Sequence, residues 1–256
     1  MDSTTQGLTI LIILFTMVTS VIVTQFIRRR RDLFLLREIP AYTALPMMVG
    51  QTIEANRPAH VSWGSAGLGG ANTLLTLASA ELFYQVAERA SIGAAPPILT
   101  VSDPTALPLG QDTLRRAYRS RGLLNQYRGS SVRWYPSGPR SLAFAAALTA
   151  ALGDDHVGMN VFVGSFGAEL ALVAEAAVRH DQPVIAASDQ LEGQAVALAM
   201  SDHWLIGEEI FTAGAYLEGT PAQVASLVTQ DVLRFLVILV ILIPTALAVI
   251  ETIRGG

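Results

Sequence analysis

The chain has 256 residues, is 51% hydrophobic and carries a formal net charge of −4; its mean hydropathy of +0.44 is too apolar for an ordinary soluble protein of this size, and the excess lies at the two ends. There is no cysteine, which excludes disulfides, thiol nucleophiles and cysteine-held metals. All 17 basic side chains are arginine, so a P-loop lysine, a Schiff-base lysine and a Ser–Lys dyad are excluded too.

Leu8 to Ile27 carries no charge and, at about 20 residues, is long enough to cross a bilayer. The residues before it, Met1-Asp-Ser-Thr-Thr, are acidic rather than basic, so the run reads as an uncleaved anchor and not as a signal peptide. Arg28 to Arg31 follow at once. By the positive-inside rule they put the following domain in the cytoplasm, and they also offer contacts to anionic lipid. Residues 1–31 are thus an anchor with a basic stop. Residues 32–58, with Pro40, Pro46 and Pro58, read as a juxtamembrane connector.

From His60 onward, short apolar runs alternate with helical patterns. Strands are expected at His60–Trp63, Pro97–Ser102, Val132–Tyr135, Met159–Val163, Pro183–Ala187 and His203–Ile206. Helices are expected at Ala71–Ser91, Gln111–Arg121, Ser141–Leu152, Ala168–His180 and Leu191–Met200. In the first of these, Leu74, Leu75, Ala78, Leu82 and Val86 keep helical spacing. The alternation predicts an α/β domain over 59–220, a Rossmann-like doubly wound and mostly parallel sheet with helices on both faces. Gly219-Thr220-Pro221 then opens a last helix, with Thr220 as its cap and Pro221 at the first helical position. That helix runs into Val232–Ile250, so 221–256 is a C-terminal transmembrane helix. The expected location is the inner membrane, with two spans and a cytoplasmic soluble domain.

The domain also echoes itself. Val61-Ser-Trp-Gly-Ser-Ala-Gly67 matches Val161-Phe-Val-Gly-Ser-Phe-Gly167, and Pro97-Ile-Leu-Thr-Val-Ser-Asp103 matches Pro183-Val-Ile-Ala-Ala-Ser-Asp189. Two matches in the same order imply pseudo-repeated halves.

Ligands of open α/β sheets sit beyond the carboxyl ends of the strands. The residues expected there are Gly64, Ser65, Gly67, Gly69, Gly70, Ser102, Asp103, Gly164, Ser165, Gly167, Ser188 and Asp189. Glycine N–H groups, hydroxyls and two carboxylates suit a polar ligand or a hydrated cation; equally, glycines make tight turns, and Ser and Asp cap helices. The spacing is not G-x-G-x-x-G, and neither Ser65 nor Ser165 has the first glycine of a nucleophile elbow. The histidines, 60, 156, 180 and 203, lack metal-ligand spacing and lie away from the carboxyl edge. Glu169 and Glu192 read as first-turn acids favoured by a helix dipole. No metal is implied, no cofactor is required, and catalytic residues are unknown.

Charge is segregated. Residues 113–153 hold seven arginines and no acid, a net +7; residues 154–231 hold twelve acids and one arginine, a net −11. The two regions either face each other within one fold, or form the basic and acidic faces through which copies associate, or set arginines on lipid phosphates. The arginines mix with Tyr118, Tyr127, Trp134 and Tyr135, but the net negative charge and the two spans disfavour nucleic acid as a partner.

The stretches Ala78–Phe83, Ala87–Ala90, Pro96–Pro108 and Gln111–Tyr118 resemble an uncharacterised bacterial family of membrane-anchored proteins, of the domain-of-unknown-function kind. The resemblance implies a stand-alone, membrane-tethered domain and carries over no catalytic residue. The expected function is a membrane-anchored scaffold or ligand-responsive domain, self-assembling and in contact with lipid. The alternative is an enzyme or sensor for a nucleotide or phosphorylated, possibly lipid-linked, ligand.

Overall fold

The computed structural model describes residues 3–29 and 37–255. These form two units, one from the two ends of the chain and one from Arg37 to Leu217.

In the first unit, α1 spans Ser3–Arg29. Its Ile10, Leu11, Ile13, Leu14 and Met17 are all more than half exposed among the described residues. Arg30 and Arg31 of the expected basic stop lie outside the described residues.

The second unit opens with α2, Pro40–Glu54. Three prolines within 19 residues pointed to a connector, yet Pro40 occupies the start of the helix, where its missing N–H costs nothing. Ala41, Tyr42, Leu45, Met48 and Val49 of α2 are buried in the main core. The chain then alternates: β1 (Ala59–Gly64), α3 (Thr73–Ala90), β2 (Ile98–Val101), α4 (Leu107–Ser120), β3 (Val132–Trp134), α5 (Leu142–Asp154), β4 (Met159–Ser165), α6 (Leu170–Arg179), β5 (Val184–Ser188), α7 (Leu191–Met200), β6 (His203–Trp204) and α8 (Ala213–Leu217). Every strand and helix expected between His60 and Ile206 is present, within a few residues at most ends. The last helix, α9 (Pro221–Gly255), belongs to the first unit, where it packs on α1. α1 and α9 both contain stretches long and apolar enough to cross a membrane.

The six strands are ordered β3-β2-β1-β4-β5-β6 and every pairing is parallel. This is the doubly wound order in which two βαβαβ halves meet and the winding reverses between β1 and β4. The echo in the sequence is this symmetry. Val61 pairs with Val161 across the junction, and the second matched segments become β2 and β5.

Both sheet faces are covered, so the central strands are buried on both sides. Val61, Trp63, Val161 and Val163 face α2, α3 and α4, with Phe83, Val86 and Leu114 opposite. Phe162 and Ala186 face the other way, toward Phe144 and Leu148 of α5 and Val173 of α6. On that second face a row of polar side chains crosses the sheet. Thr100 Oγ1 lies 2.9 Å from His60 Nε2, and His60 Nδ1 lies 2.8 Å from Asn160 Oδ1. Asn160 Nδ2 donates to Gln182 Oε1 at 2.8 Å, and Gln182 Nε2 donates to the Leu152 carbonyl of α5 at 3.0 Å. Because Asn160 spends its amide on Gln182, its oxygen must accept, which assigns the His60 proton to Nδ1 and makes Nε2 the acceptor of the Thr100 hydroxyl. Burial pushes the His60 imidazole down to about 4, so it is neutral near pH 7.

Candidate functional site

The crevice expected to hold a ligand lies at the carboxyl edge between β1 and β4, where the winding reverses. The protein itself fills much of it. Gly64 takes a left-handed φ of +57°, and a Cβ there would lie 2.3 Å from the Ser165 carbonyl oxygen. A Cβ on Gly164 would lie 2.1 Å from the Trp63 carbonyl oxygen. The two strand ends are thus pressed backbone to backbone, and each glycine makes room for the other turn. Hydrogen bonds then close the junction. The Ser65 N–H and hydroxyl both donate to Ser165 O, at 2.9 and 3.0 Å. Asn72 Nδ2 and Gln190 Nε2 donate to Ser165 Oγ, at 3.3 and 3.0 Å.

The Ser–Asp pairs after β2 and β5 are used differently in the two halves. Asp103 Oδ1 accepts from the Thr105 N–H at 2.8 Å and from its hydroxyl at 2.6 Å. Its carboxylate rests on Gly67, where a Cβ would meet Asp103 Oδ2 at 2.2 Å. Ser102 is buried and its hydroxyl has no partner among the described residues. In the other half the serine is the capping group. Ser188 Oγ accepts from the Phe166 and Gln190 N–H groups, at 3.1 and 3.0 Å, and donates to Phe166 O at 2.6 Å. Asp189 is exposed. Gly69 and Gly70 are exposed with open space beside them, at the approach to α3.

An open pocket of about 520 Å³ lies to one side, at the ends of β4 and β5. Of the expected residues it contains only Gly167; its other walls come from Arg140 and Ser141 before α5, Glu169 before α6, and Gln190 and Glu192 at α7. Leu142 and Leu172, each about half exposed, add an apolar wall. A Cβ on Gly167 would meet the flexible ends of two side chains, Glu169 Oε2 at 2.7 Å and Gln190 Oε1 at 3.1 Å. Glu169 bends back so that Oε1 accepts from the Gly167 N–H at 2.9 Å, and Glu192 sits in the first turn of α7. Sequence patterns show these two acids as helix starts, but not that they share a cavity with Arg140. That proximity comes from the crossover that brings α5 back beside β4. Among the described residues no group of three or more His, Asp or Glu side chains is placed to hold a metal.

A family described as a domain of unknown function, DUF6754, matches residues 3–255. The chain belongs to that family. Its match takes in the α/β body and both long apolar helices, so the DUF6754 unit is the whole arrangement and not the sheet alone. No curated protein and no solved structure matches the chain.

Proposed function

We propose that this DUF6754 protein is a membrane-anchored scaffold whose α/β body faces the cytoplasm and associates with further copies of itself. Two long helices with exposed apolar side chains support a lipid anchor, and the run Arg28 to Arg31 in the sequence supports the inward orientation.

The observation that carries self-association is the placement of charge. Arg115, Arg116, Arg119 and Arg128 lie on α4 and the loop leading to the edge strand β3. All four are exposed and, among the described residues, form no ion pair. Glu175, Asp189, Glu192, Asp202 and Glu208 are exposed on elements leading into or out of β5 and β6, toward the opposite edge. Arg133–Asp155 is the ion pair joining the basic and acidic segments among the described residues. Opposite charge on opposite ends of one sheet favours head-to-tail contact, and copies held at one membrane share one orientation, which suits rings about the membrane normal.

The test is the native mass of the detergent-solubilised full chain across protein and salt concentration. Oligomers that shrink with rising salt and with Arg115→Glu/Arg119→Glu are expected; a monomer under all conditions overturns the reading. Labelling of residues 60–220 from the outer side would overturn the orientation.

The strand reversal at β1 and β4 favours one alternative, a nucleotide or phosphorylated ligand over the glycine turns. Its mark is a thermal shift with nucleotide that Asp103→Ala or Asp189→Ala abolishes.

A further inference from the structure

We propose that the pocket at the ends of β4 and β5 binds a small zwitterion with an apolar body, of the class of a free aliphatic α-amino acid or its dipeptide. This inference does not rest on self-association, although Glu192 belongs both to this pocket and to the acidic face named above.

The pocket volume of about 520 Å³ lies in the range of small-molecule sites, and its place beyond the carboxyl ends of parallel strands is where open sheets take ligands. Its polar groups are of both signs. Arg140 is exposed, forms no ion pair among the described residues, and stands just before α5, whose first turn has no side-chain cap. Guanidinium and helix dipole together favour an anionic group on that side. Glu192, which lines the same pocket, has no ion-pair partner among the described residues. Glu169 spends Oε1 on the Gly167 N–H, and its Oε2 lies 2.7 Å from where a Cβ on Gly167 would sit. These carboxylates favour an ammonium group. Leu142 and Leu172 of the same lining offer apolar surface that water alone would cover at a cost.

Two glutamates against one arginine also decide against a phosphate. A dianion would gain one guanidinium and meet two carboxylates, whereas a zwitterion satisfies both signs without adding net charge.

The wall that carries Arg140 is conformationally costly. Arg140 and Ser141 are consecutive non-glycine residues in the left-handed region, with φ of 52° and 53°. Such residues are conformationally costly and cluster at ligand clamps. Here the pair turns the chain into α5 at the rim of the cavity.

The experiment uses the full chain in detergent micelles, with L-leucine, leucyl-leucine, leucinamide, N-acetyl-leucine and inorganic phosphate as probes, read by calorimetric binding. L-leucine or the dipeptide is expected to bind, with affinity falling more than about tenfold in Arg140→Gln and again in Glu192→Gln, as for loss of a charged hydrogen bond. Leucinamide, without a carboxylate, is expected to respond to Glu192→Gln and not to Arg140→Gln; N-acetyl-leucine, without an ammonium group, shows the reverse. Both residues are exposed, and an unchanged melting temperature of the unliganded variants confirms that folding is intact. Absence of binding by both zwitterions, tighter binding of phosphate, or zwitterion binding indifferent to both substitutions would overturn the proposal. A monomeric protein that still binds leucine would sink the scaffold reading and leave this one standing.

Discussion

The carbonyl oxygen of Ser165 occupies the place that a side chain on Gly64 would need, 2.3 Å from where its Cβ would sit. The residues are 101 positions apart in the chain, yet their turns are packed backbone to backbone at the point where the sheet reverses its winding. A glycine that serves a ligand and a glycine that serves a neighbouring turn look alike in a sequence, and they separate under mutation.

Gly164→Ala is expected to destabilise the body by about 2–4 kcal/mol, because the clash is with the Trp63 backbone, which cannot rotate away. Gly64→Ala adds left-handed strain to a similar clash. Gly70→Ala, with open space around it, is expected to change the melting temperature little. Thermal unfolding of the three variants checks this; equal tolerance at all three positions would mean that the junction is loose.

His60 makes stability fall with pH in a defined window. Its folded value is depressed to about 4 against 6.5 in an unfolded chain, so the stabilisation is complete above about pH 6.5. As pH falls below that, the unfolded state takes up a proton that the folded state refuses until pH approaches 4. The expected slope from this residue is up to about 1.4 kcal/mol per pH unit. Nearby Asp155 opposes the depression and Arg133 reinforces it, both weakly against burial. Melting curves from pH 7 to 4 should show the slope in the native chain and a flatter one in His60→Gln.

Tyr42 ties α2 to the far end of the body. Its hydroxyl donates to the Glu209 carbonyl at 2.6 Å, and its ring stacks on Tyr216 at 5.4 Å between centroids. Burial raises the phenol well above its ordinary range, so it stays a donor at any ordinary pH. Tyr42→Phe should cost about 1 kcal/mol, and Tyr42→Ala about 3 kcal/mol or more, through the lost stacking and a cavity. Both are read as shifts in the denaturation midpoint.

Arg133 and Asp155 form a two-pronged pair at 2.5 and 3.0 Å, linking β3 to the end of α5. The hydrogen-bonded carboxylate holds the guanidinium above its ordinary value. With both side chains about a quarter to a third exposed, Asp155→Asn is expected to cost no more than about 1 kcal/mol, and less at high salt. A loss that salt does not diminish would show that the pair orders the β3 edge by geometry and not by charge.

The amino-acid order alone determined the alternation of strands and helices, the two long apolar ends, and the pairing of the halves. Each of these is a local periodicity or a repeated word, and near neighbours in the chain decide them. It did not show α2, because Pro40, Pro46 and Pro58 read as a broken segment; only burial of Tyr42, Leu45 and Met48 under the sheet supplies the packing energy that makes the helix worthwhile. The glycine turns were legible as turns, but not what lies against them, since that space belongs to residues about a hundred positions away. The same holds for the pocket. Arg140, Glu169 and Glu192 carry no shared spacing, and only the crossover through α5 and the parallel register of β4 and β5 put opposite charges around one cavity.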